Sequence, residues 1–107
     1  MGNDQLLGAL ELLTLKILAA GALHGYGVAQ RIQQISEDVL RVEEGSLYPA
    51  LHRMEQLDWI CAEWKVTENG RRAKYYKLTP LGRKQLAREE KEWSRVTGAI
   101  SKILGYA

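Results

Sequence analysis

At 107 residues the chain has room for one domain and a modest core. Hydrophobic residues make up 46% of it and charged residues 26%, which excludes a disordered chain, and no apolar stretch approaches the roughly 20 residues of a membrane-spanning helix. The net charge of +2 gives no global signal for a nucleic-acid partner, and a single cysteine, Cys61, excludes an internal disulfide.

The N-terminal run MGNDQLLGALELL lacks the basic region and small-residue cleavage site of a secretory signal. With the lone cysteine this makes the cytoplasm the expected compartment, and no membrane partner is expected. The first predicted helix spans roughly 4–20, its stripe Leu6, Leu7, Leu10, Leu13, Ile17 and Leu18 following the helical period. Leu12 and Leu15 add apolar surface away from that stripe, which a small domain has few elements to cover; the excess points to a subunit contact. A break at 21–25 leads to a second helix over about 26–36, with Val28, Ala29, Ile32 and Ile35 buried. A third helix is predicted over about 46–57 on the stripe Leu47, Ala50, Leu51, Met54 and Leu57. At 100° per residue its opposite face holds Pro49, His52 and Gln56, flanked by Ser46, Tyr48 and Arg53. Pro49 is expected in the first turn, where a missing N–H is harmless.

From Ile60 the period becomes two: Ile60, Ala62, Trp64 and Val66 alternate with Cys61, Glu63, Lys65 and Thr67, as in a half-buried strand. Asn69-Gly70 is a hairpin turn signal, and a tyrosine-rich return strand covers about 72–78. Lys65, Arg71, Arg72, Lys74 and Lys77 cluster here against Glu68, whereas the preceding chain holds only Lys16, Arg31, Arg41 and Arg53. Such a cluster suits phosphate binding, and equally a solvated hairpin tip. Thr79-Pro80 then starts a helix that runs to about Leu104. Leu86, Trp93 and Ile100 recur by sevens with Val96 and Ile103 between them, a coiled-coil-like seam interrupted by Glu89 and weakened by Gly98. With the first helix, this edge is the expected dimer interface: Leu6, Leu10, Leu86, Trp93, Val96, Ile100 and Ile103.

The expected fold is α+β, mainly α: a winged helix-turn-helix domain over 1–79 and a long C-terminal dimerisation helix over 80–107, packed with the first helix as one unit. Nearly the whole chain resembles the PadR-like transcriptional regulators, in the short branch with one C-terminal helix. The similarity is carried by LLGALELLTLKILAAGALHGYGVAQRI, by GSLYPALHRMEQLDWI over the third helix, and by GRRAKYYKLTPLG over the wing and its exit. The combination is specific, although other winged-helix families share the Leu-Thr-Pro-Leu-Gly exit.

The residues agree with that resemblance. A reading helix keeps one apolar edge on its scaffold and presents small, neutral or basic donors to the major groove. Ser46, Tyr48, Pro49, His52 and Arg53 suit this role, and Arg71, Arg72 and Lys74 would lie on the backbone or enter the minor groove. By resemblance Tyr26 also lies near the DNA backbone; by its place alone it packs at a helix start. Glu43 and Glu44, just before the third helix, oppose phosphate binding.

No cofactor is expected. His24, His52 and Cys61 match no zinc spacing, Cys61 reads as an inert cysteine of a half-buried strand, and Glu89-Glu90 belongs to a solvated helical face. An enzyme is therefore not expected. The expected partners are double-stranded DNA bearing an inverted repeat and a second copy of the chain. The resemblance implies repression relieved by a small effector. The segment from Glu92 to Val96 resembles that of a multidrug-sensing family member, in which a matching tryptophan stacks flat ligands at the dimer centre. That makes Trp93, with Val96, a ligand candidate for a small aromatic effector, while its heptad spacing by itself makes it a filler of the seam; Thr97 departs from that member's acidic residue. The rival reading is a winged-helix protein-interaction module that binds no operator, which would carry an acidic or apolar outer face on the third helix.

Overall fold

The computed structural model of the chain describes residues 3–106, with side chains described from Ala9 onward, so Leu6 lies outside the described side chains. Helix α1 spans Asn3–Ala19, α2 Gly25–Ile35, α3 Glu44–Gln56 and α4 Pro80–Leu104. Strands β1 (Leu23–His24), β2 (Ile60–Val66) and β3 (Arg72–Leu78) form an antiparallel sheet in the order β1-β3-β2. This is a mainly helical winged-helix domain continued by a long C-terminal helix. Among the described residues no helix is long and apolar enough to cross a membrane.

Helix α1 is the centre of the core. Leu10, Leu15 and Leu18 meet Val28 and Ile32 of α2, Leu47, Leu51 and Met54 of α3, Ile60, Tyr76 and Leu78 of the sheet, and Leu86 of α4. Leu15, expected outside the stripe, is fully buried, because α1 is wrapped from several sides by its own chain. Leu10 and Leu86, expected at a subunit contact, are likewise taken into the protomer's core at 2% and 6% exposure.

The expected break after α1 contains β1, which pairs Leu23 with Tyr76 and His24 with Tyr75. His24 also caps α2, its Nδ1 accepting from the Gly27 N–H at 2.9 Å. Helix α3 starts at Glu44, two residues before its expected start, so Pro49 stands inside the helix rather than in its first turn. There its ring nitrogen withholds the bond that residue 49 would otherwise make to the Gly45 carbonyl.

The start of α4 is docked tightly. Thr79 caps it, accepting from the Gly82 N–H at 2.9 Å, while its own N–H donates to the Trp59 carbonyl at 3.1 Å. Gly82 allows this approach: a Cβ there would lie 1.9 Å from the Trp59 carbonyl oxygen. Beyond Glu90 the helix runs past the core, with an open groove between it and α1. Its edge is bare there, with Trp93 46%, Ile100 48% and Ile103 85% exposed.

Candidate nucleic-acid interface

Each hairpin face is defined by its cross-strand pairs. Ile60, Ala62, Trp64 and Val66 stand opposite Leu78, Tyr76, Lys74 and Arg72, and so share one face. The first two pairs pack on the core; the last two run on beyond it. Trp64 and Val66, expected to be half-buried, are therefore exposed, because the hairpin arm is longer than the body it covers. The other face carries Cys61, which is exposed, beside Glu63, Lys65, Tyr75 and Lys77.

The inner face looks across a cleft of about 680 Å³ toward the N-terminal ends of α2 and α3. Tyr26 and Tyr48 line one side, and Trp64, Arg71, Arg72 and Lys74 the other. Tyr48 lies flat on the start of α2, where a Cβ on Gly25 would come within 2.7 Å of its ring. Burial, reinforced by the nearby Glu44 carboxylate, pushes the Tyr48 hydroxyl above the usual tyrosine range, so it enters the cleft as a neutral donor. Tyr26 is exposed and stacks at 6.4 Å on His24, the cap of α2, so it both packs at the helix start and faces the cleft.

On α3, Tyr48, Pro49, His52 and Arg53 are exposed and Ser46 is half-buried. The basic side chains differ in freedom. Arg53 donates to Glu11 of α1 and lies 5.8 Å from the Trp59 ring centroid, which draws its guanidinium toward the protein body. Lys74 donates to Glu55 of α3 at 3.0 Å, and that hydrogen bond holds its ammonium above the usual lysine range. Arg72 instead lies over the Trp64 ring, 5.4 Å from its centroid. The structure thus brings Tyr26, Tyr48, Arg71, Arg72 and Lys74 to one cleft, while Ser46, Pro49 and His52 lie outside its lining and Arg53 turns to α1.

Sequence reasoning missed Trp64 and the two carboxylates. An aromatic residue at the last alternating positions before Asn69-Gly70 is a usable signal for an overhanging wing. Glu11 lies 42 positions from Arg53, and nothing local links them.

A second groove, also about 680 Å³, runs between α1 and α4. Ala9, Leu12, Leu13, Trp93 and Ile100 give it an apolar lining, and Lys16 and Glu90, paired at 3.0 Å, close one side. It is continuous with the bare edge of α4.

The family model for the transcriptional regulator PadR-like family matches residues 14–88. A transcriptional regulator of Mycobacterium tuberculosis is 35% identical over 83 residues, covering 78% of this chain and 74% of that protein. The crystal structure of a PadR-like transcriptional regulator from Bacillus cereus superposes with a TM-score of 0.81 at 30% identity, over 94% of this chain and 96% of that one. Bacillus subtilis PadR, solved in complex with operator DNA, shares the fold with a TM-score of 0.66 at 22% identity, over 74% of this chain and 45% of that one.

Proposed function

The chain belongs to the PadR-like family of transcriptional regulators, and from that premise we propose that it is a repressor reading an inverted-repeat operator as a homodimer. The observation that carries the reading is the cleft, in which Tyr48 of α3 and Tyr26 of α2 face a wing bearing Arg71, Arg72 and Lys74. An exposed helix flanked by phosphate-binding side chains is what major-groove reading requires. The operator complex of Bacillus subtilis PadR supports the same use of this fold.

Dimerisation is supported by the bare edge of α4. Trp93, Val96, Ile100 and Ile103 continue the groove between α1 and α4, and an apolar edge of this kind is stable in water when a second copy covers it. Two-fold symmetry would then place the reading helices in successive major grooves, about 34 Å apart. The half-exposed Trp93 ring beside that groove suits a flat aromatic effector, which would alter the spacing of the reading heads by binding one dimer arrangement better than the other.

Footprinting on genomic fragments across a salt series tests the proposal. Protection of a two-fold symmetric site is the expected result. Binding that ignores sequence and vanishes at moderate salt would refute it and favour an interaction module. The double variant Arg71→Ala/Arg72→Ala should bind more weakly with a shallower salt dependence, by about one counterion per lost phosphate contact. The effector reading falls if flat aromatic compounds neither quench tryptophan fluorescence nor change operator affinity.

A further inference from the structure

Trp64 is an unusual residue to leave in water. It is 58% exposed in the middle of a strand, on the hairpin face that elsewhere packs on the core. A ring of that size gains substantially from burial, so its exposure at a cleft points to a surface that is covered when the protein works. Its neighbours indicate the covering chemistry. Trp64 stands opposite Lys74, and Arg72 lies over its ring at 5.4 Å.

The two cations on this face are not equivalent. Lys74 is already matched by the Glu55 carboxylate, whereas Arg72 has no ion-pair partner among the described residues. A cation over an indole keeps its charge and most of its donors while losing rotamer freedom, so it is presented in a defined direction. Arg72 occupies one face of the ring, and the exposed remainder of the indole is left for an apolar contact.

We propose that Trp64 is a DNA-contacting and positioning residue: it holds Arg72 over the cleft for a backbone phosphate and packs its exposed edge on the adjoining deoxyribose. The inference rests on the operator-binding reading above and adds to it a residue that charge alone does not mark.

The test is titration of mixed-sequence duplex DNA at several salt concentrations with the wild type, Trp64→Ala, Trp64→Phe, Arg72→Ala and the double variant Trp64→Ala/Arg72→Ala. Trp64→Ala should weaken binding by at least the two- to fivefold that corresponds roughly to one exposed cation–π contact, and should lower the salt slope toward that of Arg72→Ala. Trp64→Phe should restore most of both. In the Arg72→Ala background the loss of Trp64 should matter less than in the wild type, since part of its role passes through Arg72. Thermal melting of each variant separates a folding defect from a binding defect, and the exposed ring predicts little change in melting.

Wild-type affinity and salt slope retained by Trp64→Ala would overturn the inference while leaving the operator-binding reading intact. A full, additive loss in the double variant would overturn the positioning role. Failure of the wild-type protein to protect any two-fold symmetric site in the footprinting above would overturn both readings.

Discussion

Gly82→Ala sets two effects of opposite sign against each other. In an exposed helix the change should stabilise by up to about 1 kcal/mol, because glycine orders its backbone at a greater entropic loss than alanine. Here the added Cβ would lie 1.9 Å from the Trp59 carbonyl oxygen and 2.9 Å from Leu78 Cδ1. The backbone carbonyl cannot rotate away as a side chain would, so α4 must retreat by roughly 1.5 Å to reach an ordinary contact. That movement pulls on the Thr79 N–H bond to Trp59, 3.1 Å long, and on the Thr79 hydroxyl, held at 2.6 Å from the Asp58 carbonyl and 3.0 Å from that of Trp59. Weakening two such bonds costs about 2 kcal/mol, and overpacking at Leu78 about 1–3 more. Net of the helix gain, Gly82→Ala should destabilise by about 2–4 kcal/mol. Urea unfolding followed by circular dichroism at fixed protein concentration measures this directly. An unchanged or raised midpoint would show that the helix junction is soft, and would refute the claim that Gly82 locks the seam helix to the wing domain.

Other consequences concern the core, the cleft and the seam. Thr14 is fully buried in α1, and among the described residues its hydroxyl has no hydrogen-bond partner; Thr14→Val keeps the shape and should stabilise by about 1 kcal/mol, read as a higher urea midpoint. A lower midpoint would mean that the hydroxyl is satisfied in solution. Glu55→Gln removes the carboxylate paired with Lys74 and should tighten duplex DNA binding with a steeper salt dependence; unchanged binding would show that Lys74 stays out of the interface. Because Glu55 raises the Lys74 pKa, the pair's stabilisation is fully present below the ordinary lysine value and is lost as pH rises through the raised one. Wild type and Glu55→Gln should therefore converge in stability as pH rises to strongly alkaline values, which thermal melts across pH can check. Ile100→Asp, on the bare edge of α4, should shift sedimentation from dimer to monomer, and an unchanged profile would remove the seam from the interface.

Much of this protein is local and was readable as such. The Asn69-Gly70 turn, the period-two run from Ile60 and the Thr79-Pro80 start of α4 rest on backbone preferences of a few adjacent residues, and β3 and α4 begin and end where expected. Most of the inward stripe of α3 also follows from its period, since Leu47, Leu51 and Met54 are fully buried, whereas Leu57 falls at the helix cap and is exposed. Motif combination did the rest for the family, because it needs residue order and not geometry.

Distance along the chain marks where this legibility ends. Whether Leu15 was core or surplus depended on how many elements wrap α1, and whether Leu10 and Leu86 were free depended on α4 folding back onto it. The exposure of Trp64 depended on the hairpin outrunning the body beneath it, which strand periodicity does not encode. Arg53 and Lys74 looked like free cations in a basic sequence, and their partners Glu11 and Glu55 meet them only after folding. Local period and residue type suffice for the helices, the wing hairpin, the exposed face of α3 and the charge of the wing, but not for β1, which exists only by pairing with β3. Tertiary structure alone decided which cations remain free to meet phosphate and which apolar residues remain bare for a partner, because both depend on contacts between segments far apart in the chain.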